Sequence, residues 1–141
     1  MHYVALAVGA LLVGGGLVWG WGALFIVRHR QKRPVRKASV LVIAGNFMGQ
    51  VIPIPPEGLV FGRDPARCNL VIQSPAVSRL HARLVGSVSG GVVLEDLNST
   101  NGVYILRGAE WMRMTAPVSM APGGRFRLGD ENNEFEIHRG E

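Results

Sequence analysis

Asp96-Leu97-Asn98-Ser99-Thr100-Asn101-Gly102 joins two short apolar runs, Val92–Leu97 and Val103–Ile105. Asn and Gly tolerate left-handed backbone, and Ser and Thr hydroxyls satisfy nearby amides, so the joining residues are turn formers. The runs are too short for helices and rich enough in Val and Ile for strands. The heptapeptide therefore reads as a loop between two strands. Taken alone, Asn101-Gly102 would also fit a tight hairpin turn.

The same alternation extends in both directions. Val40–Ala44 and Val51–Ile54 are separated by Gly45-Asn46 and Gly49, which looks like a hairpin, and Pro53, Pro55 and Pro56 then break the chain. Further runs follow at Leu59–Phe61, Leu70–Ile72, His81–Val88, Arg125–Leu128 and Glu134–His138, punctuated by Arg-Asp-Pro, Gln-Ser-Pro, Ser-Gly-Gly, Ala-Pro-Gly-Gly and Gly-Asp-Glu-Asn-Asn. No stretch after residue 38 carries a helical period. The pattern predicts an all-β sandwich or barrel. The segment Ala109–Ala116, with Trp111, Met112 and Met114, fits no clear register, and an exposed Trp-Met-Met edge there would offer a second contact surface.

Upstream of residue 38 the composition changes. Tyr3–Val27 contains no charged residue over 25 positions. As a helix it would measure about 37 Å, against a hydrocarbon core of about 30 Å. Trp19, Trp21 and Phe25 gather at one end and Tyr3 at the other, as interfacial aromatics do. The segment lacks a basic leader and a small-residue cleavage site, so an uncleaved transmembrane helix is expected. Arg28, Arg30, Lys32, Arg33, Arg36 and Lys37 follow it. The positive-inside rule then places the C-terminal part in the cytoplasm, as a single-pass plasma-membrane protein. Gly16-x-x-x-Gly20 would allow helix–helix approach and a homodimer. The organisation expected is an anchor over 1–27, a basic linker over 28–38 and a folded domain over 39–141, with the lipid bilayer contacted through residues 3–27.

The net charge of +5 suggests nucleic acid at first sight. Six of the 15 basic side chains lie in residues 28–37, however, and the rest of the chain holds nine against ten acidic ones. A near-neutral domain lacks the basic face that nucleic-acid docking needs, so no nucleic acid is expected. The one cysteine, Cys68, excludes an intrachain disulfide. There is no P-loop, no metal-spaced Cys/His set and no motif of paired carboxylates. Ser78 and His81 make a poor nucleophile–base pair without an orienting acid. The sequence therefore calls for a binding module rather than an enzyme, with no cofactor and no metal.

Three motifs narrow the binding function: Phe61-Gly62-Arg63, Ser78-Arg79-Leu80-His81-Ala82, and the heptapeptide Asp96–Gly102. In this order and spacing they closely resemble the forkhead-associated (FHA) family over roughly residues 39–138. Pro122–Gly129 and Phe135-Glu136-Ile137 are similar to the family's last strands. The resemblance implies a β-sandwich of about 10–11 strands that binds phosphothreonine peptides through loops at one end. It implies that Arg63 and Ser78 contact the phosphate, assisted by Thr100, that Arg79 touches phosphate or peptide, and that Asn101 pairs with the peptide main chain. Gly62, His81 and Gly102 would support the site. The residue types suit such a ligand, because a phosphothreonine carries nearly two negative charges and three acceptor oxygens, and Arg offers a planar set of charged donors. Asn98 stands where the family often has Gly. The partners implied are phosphothreonine-containing proteins, Ser/Thr kinases or their substrates. Two bland alternatives remain at this stage: Ser78 capping its own loop and Arg63 pairing with Asp64. A phosphate-independent membrane scaffold is the competing function.

Overall fold

The computed structural model describes residues 37–87 and 91–140, all within one compact unit. The expected anchor over 1–27 and nearly all of the basic linker over 28–38 lie outside the described residues. Among the described residues no helix is long and apolar enough to cross a membrane.

Eleven strands follow in order: β1 (Ala38–Ala44), β2 (Val51–Pro53), β3 (Leu59–Gly62), β4 (Leu70–Val71), β5 (Ala82–Gly86), β6 (Val92–Asp96), β7 (Val103–Arg107), β8 (Glu110–Arg113), β9 (Val118–Met120), β10 (Arg125–Leu128) and β11 (Glu134–Arg139). They form a six-stranded sheet, β2-β1-β11-β10-β7-β8, and a five-stranded sheet, β4-β3-β5-β6-β9. Only β3 and β4 pair in parallel. The all-β sandwich expected from the sequence is thus present.

Period-two alternation builds the core. Val40 and Val42, Phe61 with Leu59, Leu84 with Ala82, and Phe126 with Leu128 all turn inward and are buried. Phe61 of the smaller sheet meets Phe126 and Phe135 of the larger one edge-on, at centroid distances of 5.7 and 5.2 Å. Such ring pairs add about 0.5–1.5 kcal/mol each beyond simple burial. This cluster joins the sheets directly below Gly62 and Arg63.

The β1–β2 hairpin forms as expected, closed by bonds between Val42 and residues Gly49 and Gln50. Pro53 does not break β2 but ends it, opposite Ser39 on an edge strand where a missing N–H costs little. The doubtful segment resolves into β8, paired with β7 through a turn at Gly108–Ala109. It does not present a continuous apolar edge. Met114 is buried in the core, Trp111 is covered by the Arg127 guanidinium at 3.9 Å, and only Met112 is widely exposed.

β6 and β7 lie in different sheets. Asp96–Gly102 is therefore a crossover loop and not a hairpin turn. It leaves the sandwich at one end, together with the β3–β4 and β4–β5 loops.

Candidate functional site

The Asp96–Gly102 loop holds its own shape. The Asp96 carboxylate accepts the Ser99 amide at 2.9 Å, and Ser99 Oγ accepts the Gly102 amide at 3.1 Å. Asn98 sits at φ +59°, the left-handed geometry that makes Asn an acceptable replacement for Gly. The effect is to lift Thr100 and Asn101, both exposed, toward the β4–β5 loop.

Two side-chain links then close the distance. Ser78 Oγ accepts the Thr100 amide at 3.0 Å, and Asn101 Nδ2 donates to the Ala76 carbonyl at 3.0 Å. Ser78 thus ties one loop to another rather than capping its own. With its acceptor side engaged, its O–H remains able to donate. Asn101 Oδ1 and its second N–H likewise make no hydrogen bond among the described residues.

Arg63 completes the group. Its amide donates to the Ser78 carbonyl at 3.1 Å, and its Nε donates to the Val77 carbonyl at 2.5 Å. The head is therefore held at its inner nitrogen, while its two terminal nitrogens make no hydrogen bond among the described residues. The ion pair with Asp64 does not form. Asp64 pairs instead with Arg67 at 2.8 Å, and that bond holds its carboxyl below the usual range. Neither Arg63 nor Arg79 enters a salt bridge among the described residues.

His81 lies beneath these loops, fully buried. Its Nδ1 accepts the Ser78 amide at 2.9 Å and its Nε2 lies 2.9 Å from the Gly102 carbonyl. A backbone amide can only donate and a carbonyl can only accept, so the ring is the neutral Nε2–H tautomer. Burial pushes its pKa down, against an opposing pull from the Gly102 carbonyl and Asp96. Gly62 is fixed by contact. A Cβ there would lie 2.2 Å from the Arg79 carbonyl oxygen and 2.6 Å from Cys68 Sγ. Gly102, at φ +86°, uses a conformation that L side chains avoid.

All eight residues singled out from the sequence meet at one end of the sandwich. Several supports were not singled out. Cys68 Sγ donates to the Arg79 carbonyl at 3.2 Å, and burial raises its thiol pKa. Gly129, at φ +78°, lets its backbone approach Ala76, where a Cβ would lie 2.3 Å from the carbonyl oxygen. The carbonyls of Ala76 and Val77 are themselves anchors, and main-chain groups carry no sequence signal. Among the described residues no cluster of His, Cys, Asp and Glu is placed to hold a metal ion.

Fold and site together define a β-sandwich that gathers donor side chains onto the loops of one end. The FHA domain pattern matches residues 59–129, and the chain belongs to the FHA domain family. It is 32% identical over 121 residues to the FHA domain-containing protein FhaB of Mycolicibacterium smegmatis, covering 86% of this chain and 72% of that protein. It is 26% identical over 80 residues to a protein phosphatase 1 regulatory inhibitor subunit PPP1R8 homolog of Arabidopsis thaliana, covering 57% of this chain but only 21% of that protein. Among solved structures, Mycobacterium tuberculosis EmbR in complex with a low affinity phosphopeptide superimposes with a TM-score of 0.61 at 27% identity, over 74% of this chain and 25% of that one.

Proposed function

We propose that this protein is a membrane-tethered adaptor that binds phosphothreonine-containing proteins, Ser/Thr kinases or their substrates, at the cytoplasmic face of the membrane. The observation that carries the binding function is the Arg63 guanidinium. It is held at Nε by the Val77 carbonyl, one residue before Ser78, while its two terminal nitrogens make no hydrogen bond among the described residues. A preset charged donor pair next to a hydroxyl donor suits a phosphate dianion. Arg63 and Ser78 bind the phosphate, with Thr100 and Arg79 assisting, and Asn101 reads the peptide main chain. EmbR, a family relative, has been seen with a phosphopeptide, which supports the same ligand class here.

The tether rests on the uncharged span Tyr3–Val27 and the basic run after it.

Titration of the full chain in detergent micelles with matched phosphothreonine, phosphoserine and unmodified peptides tests the binding function. Phosphothreonine should bind best and the unmodified peptide worst. The extra methyl is worth about 0.8 kcal/mol, or roughly fourfold, as a plain transfer effect. Equal affinity for all three would favour the phosphate-independent scaffold instead.

A further inference from the structure

Beside the donor cluster the loops enclose an open groove of about 400 Å³. Its walls are Gly45 and Asn46 from the β1–β2 turn, Ser74 and Pro75 from the β4–β5 loop, and Asp130 with Asn133 from the β10–β11 loop. No lysine or arginine lines it. Asn133 is 2% exposed, and its Nδ2 is spent on Ser74 Oγ at 3.0 Å, Asp130 Oδ1 at 3.2 Å and the Leu128 carbonyl at 3.3 Å. Its Oδ1 accepts no hydrogen bond from the described residues. That oxygen lies toward Gly45, where a Cβ would come within 3.7 Å of it and within 3.3 Å of the Asn132 carbonyl. Asp130 accepts the Asn132 amide at 3.0 Å, and its charge enters no salt bridge among the described residues.

The groove is therefore rich in acceptors and carries an unpaired negative charge. The adjoining loop end is rich in donors and carries Arg63 and Arg79. We propose that the groove takes a lysine or arginine side chain of the phosphorylated ligand and that Asp130 is the selecting charge. This deepens the phosphothreonine-binding function proposed above and depends on it. Ser74 and Ser78 are four residues apart, a span of at most about 14 Å. An extended peptide covers that span in a similar number of residues, so the cation sits within about four residues of the phosphothreonine.

The test is fluorescence anisotropy of the full chain in detergent micelles. The probes are phosphothreonine peptides with lysine, alanine or glutamate placed in turn at each of the four positions on either side. At one position lysine should bind about two- to fivefold tighter than alanine at low salt, the range of an exposed ion pair, and the advantage should shrink as salt screens it. Asp130→Asn keeps the acceptor for the Asn132 amide. It should remove the lysine advantage and leave the alanine peptide unaffected, while Asp130→Lys should shift preference to glutamate. Glu131→Gln, exposed and outside the groove lining, should keep the lysine advantage. Absence of any lysine advantage, or its survival in Asp130→Asn, overturns the proposal. An alanine peptide that binds equally with and without phosphate would overturn the phosphothreonine function itself.

Discussion

His81 Nδ1 accepts the Ser78 amide hydrogen at 2.9 Å, so a proton on that nitrogen would set two donors against each other inside the fold. The opposite ring nitrogen bonds the Gly102 carbonyl at 2.9 Å. One neutral imidazole therefore couples the loop that carries Ser78 to the loop that carries Thr100 and Asn101.

Acid should uncouple them. The folded-state pKa of His81 is lowered below 6.5, chiefly by burial. The unfolded chain therefore takes up the proton first as pH falls. The stabilising contribution is complete above about pH 6.5 and is lost as pH drops toward the folded-state pKa, with a slope of up to about 1.4 kcal/mol per pH unit. Asp64 and Glu136, whose carboxyls are held below their ordinary 3.8 and 4.5, respond only in stronger acid. Urea midpoints should fall between pH 7 and pH 5 in the wild type, and the fall should flatten in His81→Gln. A wild type with equal midpoints across that range would remove His81 as the titrating group.

Gly62 should tolerate no side chain. Its φ is ordinary, so the obstacle is steric: the Arg79 carbonyl and Cys68 Sγ occupy the Cβ position. Gly62→Ala should lower stability by about 1–3 kcal/mol, the usual penalty of overpacking. It should also displace the backbone of Arg79 and weaken phosphopeptide binding. Gly123→Ala, where the same Cβ meets nothing, carries only the left-handed φ penalty. Urea denaturation of both variants separates crowding from backbone conformation.

The nine strands legible in the sequence are those whose side chains alternate or whose ends are marked by turn residues. β8 and β9 were not legible, for a physical reason. Glu110–Arg113 lies on a sheet edge with no buried residue, and Val118–Met120 is three residues long with one. Neither carries an alternation to detect. The loop residues Arg63, Ser78 and Asn101 were legible because their chemistry is in their side chains. The anchors of Arg63 and Asn101 were not, since the Val77 and Ala76 carbonyls have no residue code. The contact of Asn133 with Ser74 bridges 59 positions that only the closed sandwich brings together.

The topology expectation needs a different reporter from the natural thiol. Cys68 is 7% exposed and donates to the Arg79 carbonyl, so it would resist labelling on either side of a membrane. Met48, at the tip of the β1–β2 hairpin, is 71% exposed. In a Cys68→Ser background, Met48→Cys should stay unlabelled by a membrane-impermeant maleimide in intact cells and become labelled after permeabilisation. Labelling in intact cells would reverse the orientation drawn from the basic run.

Arg63 distinguishes charge from geometry. Arg63→Ala removes one or two charge-assisted bonds, each worth about 1.5–3 kcal/mol, so phosphothreonine-peptide affinity should fall at least about tenfold. A simple electrostatic attraction would be largely restored by Arg63→Lys. The structure argues otherwise, because the arginine is oriented through Nε, which donates to the Val77 carbonyl at 2.5 Å while leaving the terminal pair for a ligand. Lysine has one nitrogen. It can satisfy the Val77 carbonyl or reach the phosphate, and it has no planar fork for two parallel bonds. Arg63→Lys should therefore recover only a small part of the loss, and what it recovers should be more sensitive to salt than wild-type binding. Isothermal titration of the three proteins at two salt concentrations checks this. A lysine variant that binds as tightly as the wild type would show that positive charge alone suffices, and that the bond to Val77 has no part in ligand binding.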